Sequence, residues 1–213
     1  MKSVLKIRLL IVFLAVVCTA SAQFTYRLEV GYTNPDRYGT NISHTYFNGL
    51  RVGGNVEYKL KNNISLLSGV LYSIVYSNKL QGYPDAMSVR YMSIGHFLDV
   101  PLRLAYTYPI TDDLKVFGYA GPSLNIGLSQ FQETTSTLNT SWTKYTGIKT
   151  TASYQYKESA LNRLNLQVGV GGGVQWKKYQ IKSGYDWGIN NLNRLDTGKF
   201  RQRGWYVSFS YDF

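Results

Sequence analysis

The sequence contains one cysteine, Cys18, and it lies so close to the N-terminus that an exported, processed chain would carry none. Disulfide staples and thiolate metal sites are therefore not expected. Histidine is almost as scarce: His44 and His96 stand far apart, without metal-ligand spacing around either. His96 sits between Gly95 and Phe97, with no His-x-Ser pairing of the kind a hydrolase would need. The Gly171-Gly172-Gly173 triplet has no helical pattern after it and so is no phosphate loop. After residue 22 no apolar run approaches the ~20 residues that a membrane-spanning helix requires. These absences lead us to expect no enzyme activity, no cofactor and no metal.

The N-terminus carries Lys2, Lys6 and Arg8, then an apolar run over residues 9–17, then Cys18-Thr19-Ala20-Ser21-Ala22. A charged start, a short apolar run and a small-x-small end read as a cleaved secretory signal. We expect residues 1–22 to be that signal and residues 23–213 to form one domain. Cys18 as a lipid attachment site is the weaker alternative, because Val17 stands where such sites want a small residue. The formal charge of +11 becomes +8 without the signal, which removes three of the 23 basic residues against 12 acidic ones. Nucleic acid is not an expected partner for an exported chain.

Tyrosine (19), phenylalanine (9), tryptophan (4) and glycine (20) are abundant. Their distribution has a period of two. In residues 203–213, Trp205, Val207, Phe209, Tyr211 and Phe213 share one parity, whereas Gly204, Tyr206, Ser208, Ser210 and Asp212, small or polar with one tyrosine, share the other. Alternation of this kind gives a strand one apolar face and one polar face. Seven further segments alternate similarly: 24–32, 50–60, 64–77, 95–108, 114–129, 163–176 and 179–187. In 64–77 we assign Leu66, Val70, Tyr72, Ile74 and Tyr76 to the outer face, which turns Leu67, Leu71 and Val75 inward. Links after the second, fourth and sixth segments take about two to five residues, and the others roughly 13 to 32. Short turns at one end and long loops at the other predict an all-β fold, an eight-stranded antiparallel up-and-down transmembrane β-barrel.

At Phe97-Leu98-Asp99-Val100-Pro101-Leu102 the chain resembles the outer-membrane β-barrel family typical of Bacteroidetes, which includes the PorT-like proteins. Gly69-Val70-Leu71-Tyr72-Ser73, Gly118-Tyr119-Ala120-Gly121-Pro122 and the aromatic end agree with it. The resemblance covers the whole mature chain. It implies insertion into the outer membrane of a Gram-negative cell envelope, and it says almost nothing about activity. The ending Val207, Phe209, Tyr211, Phe213 resembles the C-terminal signal read by the barrel assembly machinery. Pro101, inside a strand, predicts a local bulge.

The inward parity carries Arg27, Glu29, Arg51, Glu57, Lys59, Asp99, Arg103, Lys115, Lys182 and Asp186. Mixed signs in a narrow interior predict a pairing network. Eight strands leave a lumen that side chains can fill, with the glycines of 163–176 as packing space. Asp212 is expected to point away from lipid, and its replacement by Asn to matter little. The link 130–162, rich in Thr, Ser and Tyr around Trp142, is either a binding surface for sugar or protein or a continuation of its flanking strands. Arg194, Lys199, Arg201 and Arg203 make the last loop basic, suited to lipopolysaccharide phosphates. The expected function is a plugged structural or interaction protein acting through extracellular loops on an extracellular or envelope protein partner. A narrow, porin-like channel or small-solute transporter is the alternative. A soluble barrel with its apolar parity turned inward would leave the charges in water and the loop asymmetry unexplained.

Overall fold

The computed structural model describes residues 24–39, 42–83, 87–138, 147–156, 161–194 and 198–213; the expected signal, 1–22, and Trp142 lie outside them. In chain order the strands are β1 (Phe24–Gly39), β2 (Ile42–Tyr46), β3 (Asn48–Lys59), β4 (Ile64–Tyr83), β5 (Met87–Pro109), β6 (Leu114–Leu138), β7 (Gly147–Tyr154), β8 (Leu164–Trp176), β9 (Tyr179–Gly188) and β10 (Phe200–Asp212). Eight of them form a closed antiparallel ring in the order β1, β3, β4, β5, β6, β8, β9, β10, with β10 returning to β1. The closing pair runs in unbroken register from Arg27 opposite Asp212 to Gly39 opposite Phe200. β2 and β7 stand outside the ring, pairing the upper ends of β1 and β6.

Three tight turns define the lower end. Asn62 and Asn63, with φ of 55° and 63°, close the β3–β4 hairpin. Asparagine tolerates the left-handed region, and two such residues in succession give a turn whose twist matches its strands. The Ile64 amide donates across it to the Lys61 carbonyl at 3.1 Å. Lys177, φ 55°, turns β8 into β9, and residues 110–113 turn β5 into β6.

The other end differs from the sequence expectation. There the long links are largely strand: β1 continues to Gly39, β4 and β5 to Tyr83 and Met87, and β6 to Leu138. β6 leaves β8 at Ile126, opposite Leu164, and above that point pairs β7 instead. The link 130–162 therefore does continue as a hairpin in part, but between β6 and β7.

Parity is as expected throughout the ring. Leu28, Val30, Leu50, Val52, Leu102, Leu104, Leu166, Val168 and Val170 are exposed on the outside. β4 is oriented as assigned, with Leu71 and Val75 fully buried and Val70, Tyr72 and Ile74 outside. Aromatic rings flank this aliphatic band. Tyr26, Tyr106, Tyr108, Trp176, Tyr179 and Phe213 lie toward the turns, while Tyr32, Tyr76, Trp187 and Trp205 lie toward the other end. Tyr32 and Trp205 pack at 5.4 Å between centroids across the closing seam.

Pro101 does not sit at a bulge. Its pairing with β4 is interrupted between Ser68–Leu102 and Leu71–Asp99, but the register is the same on both sides. Proline simply withholds one amide from the ladder. Ser68 Oγ donates to its carbonyl at 2.9 Å. The register shift of β5 lies instead at His96/Phe97, opposite β6.

An outer face this apolar is stable against hydrocarbon and not against water. Val170, 47% exposed in the middle of β8, should therefore tolerate no charge. Val170→Arg should lower folding stability in lipid vesicles by about 2–4 kcal/mol, the midplane cost of arginine in such barrels. Urea titration of the refolded protein checks it, with Lys178→Arg in the lower turn as the neutral comparison.

Candidate functional site

The inward face assembles its charges in tiers along the axis. At the lower end, Arg27 Nε donates to Asp212 Oδ1 at 2.5 Å, and its Nη2 donates to Glu57. Gln175 Nε2 also donates to Asp212, at 2.9 Å. Asp212 is thus a full member of the network, contrary to the expectation that Asn would serve there. Its parity placed it inward correctly, but only closure of β10 onto β1 sets it opposite Arg27.

The middle tier centres on Glu29, 0% exposed. Lys182 Nζ pairs with it at 2.6 Å, Arg51 Nε approaches at 3.5 Å, and Asn55 donates to it as well. Lys182 is on β9 and Glu29 on β1, so the pair spans the inner face of β10. Ser208 and Ser210, the buried β10 residues opposite Lys182 and Glu29, are small enough to leave that path clear. Arg51 also stacks over the Tyr206 ring at 4.3 Å, a cation–π contact. Tyr119 donates to the Ser183 carbonyl at 3.1 Å, which leaves the Tyr206 hydroxyl to donate to Tyr119 at 2.8 Å. This tyrosine pair bridges β6 and β10 through the lumen.

Above it, Arg103 reaches from β5 to Asp186 on β9 and to the Gly121 carbonyl, with the Gly169 carbonyl at 3.3 Å. Asp99 accepts from Asn125 Nδ2 at 2.6 Å and Ser73 Oγ at 3.1 Å. The glycines of β8 are packing space here. A Cβ at Gly171 would lie 2.3 Å from the Tyr119 hydroxyl, and one at Gly169 only 1.8 Å from Asp186 Oδ1.

Of the residues expected from sequence, Arg27, Glu29, Arg51, Glu57, Arg103, Lys182 and Asp186 are thus brought together in ion pairs. Asp99 joins through hydrogen bonds. Lys115 lines the lower opening beside Lys59 and holds no ion pair among the described residues. Of the C-terminal set, Val207, Phe209 and Phe213 are exposed on the outer face of β10, and Tyr211 is half-buried, 5.4 Å from Tyr179. Arg37, buried near the top, is not among the residues expected from sequence. Ending the first strand at residue 32 left it in a loop; the pairing of β1 with β10 as far as Gly39 puts it on the inward face. The histidines lie elsewhere: His96 Nδ1 is 2.5 Å from the Tyr72 hydroxyl on the outer side, and His44 pairs with Asp36 at 2.9 Å on the upper rim.

The space left in the lumen is unequal. A central cavity of about 70 Å³ is enclosed by Arg51, Asp99, Arg103, Tyr119, Lys182 and their neighbours. Cavities of about 330 Å³ and 420 Å³ open below and above it.

A closed antiparallel ring with a hydrocarbon-compatible outside, aromatic girdles and a charged inside is a transmembrane β-barrel of the outer-membrane type. A soluble barrel would require the reverse parity. The chain belongs to the family of the outer membrane protein beta-barrel domain, whose model matches residues 20–194. No curated protein matches it in sequence. Among solved structures it is similar to Neisserial surface protein A, at 12% identity and a TM-score of 0.45, covering 88% of this chain and 97% of that one. It is also similar to Ail, the attachment invasion locus protein of Yersinia pestis, at 11% identity and a TM-score of 0.36, covering 90% and 99%. The outer membrane enzyme PagL is a third, at 12% identity and a TM-score of 0.37, covering 86% and 98%.

Glu29 is the residue on which the middle tier depends, since its loss strands both Lys182 and Arg51. Removing one partner of a buried ion pair costs about 3–5 kcal/mol, and Glu29→Ala should lose at least that much folding stability in vesicles. Lys115→Ala, at the open lower end, should lose far less in the same urea titration.

Proposed function

We propose that this outer-membrane barrel is sealed through its middle and acts as a structural or interaction protein through its extracellular end. The observation that carries the reading is the central tier. Arg103–Asp186, Lys182–Glu29–Arg51 and the Tyr119–Tyr206 bridge occupy the lumen from different walls and leave only about 70 Å³ between two larger cavities. A hydrated ion path would have to break several of these contacts at once, each a charge or hydroxyl in a low-dielectric interior. Short turns are periplasmic in such barrels, which makes the extended strands β4, β5, β6 and β7 the extracellular face.

Catalysis has no part in this reading. Outer-membrane lipid is the medium of the barrel, and the rim cations are suited to lipopolysaccharide phosphates. Lys199 and Arg201 are exposed there, whereas Arg203 is engaged by Asp36 at 3.3 Å and by the Tyr38 ring at 4.6 Å. Phosphate anchoring therefore falls to Lys199, Arg201 and Arg194. What supports a role for Val207, Phe209, Tyr211 and Phe213 in recognition by the assembly machinery is their common outward parity on the strand that closes the ring.

The alternative, a narrow channel or small-solute transporter, draws on the cavities at both ends of the lumen. Planar-bilayer recordings separate the two readings. The purified protein should give no stable open-channel current, and shortening Tyr119 and Arg103 together should create one. Reproducible currents from the unaltered protein, growing when Arg103 or Lys182 is shortened, would instead establish the transporter.

A further inference from the structure

The upper cavity differs in kind from the rest of the interior. Its volume of about 420 Å³ falls in the range of small-molecule sites, roughly 300–1,000 Å³. Its lining is neutral or cationic: side-chain amides such as Gln81 and Gln132, hydroxyls such as Ser77, the ring of Tyr91, and the cations Arg37 and Lys79. No carboxylate among the described residues lines it.

Arg37 is the odd one among the buried arginines of the barrel. Arg27, Arg51, Arg103 and Lys182 are each paired with a carboxylate. Arg37 is 4% exposed and has no carboxylate within ion-pair distance among the described residues. Its Nε donates to Gln202 Oε1 at 2.9 Å, its Nη1 to Gln130 Oε1 at 2.7 Å, and the Tyr156 hydroxyl is a further neutral partner. The guanidinium carbon lies 4.7 Å from the Phe47 ring centroid and 5.5 Å from that of Phe97. Neutral amides and two rings hold the group in place without cancelling its charge. A guanidinium has five N–H donors in a planar fork suited to a carboxylate, and leaving such a charge buried and unbalanced is costly.

We propose that the upper cavity is a binding site for a small, hydroxyl-rich acid of the acidic-sugar class. Its carboxylate pairs with Arg37, with Lys79 as the second cation. The amides, which both donate and accept, hydrogen-bond its hydroxyls, and the Tyr91 ring gives its C–H face an apolar surface. The proposal rests on the reading of a barrel sealed below this site. The two fail separately, because a conducting lumen would show as current whether or not the site binds anything.

The test is calorimetric titration of the full-length barrel, folded in detergent micelles, with glucuronate, glucose and sodium sulfate. Glucuronate should bind saturably at one site. Glucose should bind about tenfold more weakly or worse, the least that loss of a charge-assisted hydrogen bond produces, and sulfate should also bind more weakly. Arg37→Gln should abolish glucuronate binding while keeping a heat-modifiable, folded barrel on gels. Lys79→Gln, a change nearer the opening, should weaken glucuronate several-fold and leave glucose unchanged, which keeps the test intact if the Arg37 variant does not fold. Absence of saturable glucuronate binding, equal affinity for glucose or sulfate, or an unaltered Lys79→Gln titration would each overturn the proposal.

Discussion

Inside a bilayer no water is available to a stray amide or carbonyl, so every backbone polar group must find a partner in the chain. The antiparallel seam between β1 and β10 meets that demand, running from Arg27–Asp212 to Gly39–Phe200 without a shift. Everything else follows from closure. Once the last strand meets the first, each strand has an outside and an inside, and the period of two in its side chains becomes a partition between hydrocarbon and lumen.

Closure also creates the charge problem that the interior solves. A ring of eight strands brings non-adjacent strands within reach of long side chains, so Arg103 on β5 can meet Asp186 on β9 and Lys182 on β9 can meet Glu29 on β1. Small residues make these crossings possible: Ser208 and Ser210 under Lys182, and Gly169 and Gly171 against Asp186 and Tyr119. The sheet thus alternates bulky and minimal side chains around the lumen. Arg27, Arg51, Arg103 and Lys182 are held by carboxylates through the middle and bottom, whereas at the top Arg37 is held by amides and aromatic rings. The change in chemistry coincides with the widening of the lumen into the upper cavity.

Much of this was legible in the residues themselves. All eight ring strands, their parity and the inward orientation of Leu71 and Val75 follow from alternation, because the side-chain period of a strand is local. So did seven inward charges that the structure joins as ion pairs. What escaped was non-local. Asp212 looked expendable because nothing in residues 203–213 says what lies opposite it. Arg37 was missed because alternation fades above residue 32, where aqueous surroundings relax the demand for an apolar face. Pro101 suggested a bulge, but the ladder accommodates it by omission, and the register shift falls at His96/Phe97.

By itself, then, the sequence determined which face of each strand meets lipid and which residues share the lumen, since both depend only on neighbours one and two positions away. The tertiary structure alone decided which charges pair, through the register of each hairpin and the stagger with which β10 returns to β1. It also decided that β6 exchanges β8 for β7 above Ile126, and that one buried guanidinium faces a cavity and no carboxylate. Those outcomes depend on distances between residues far apart in the chain, and alternation carries no information about them.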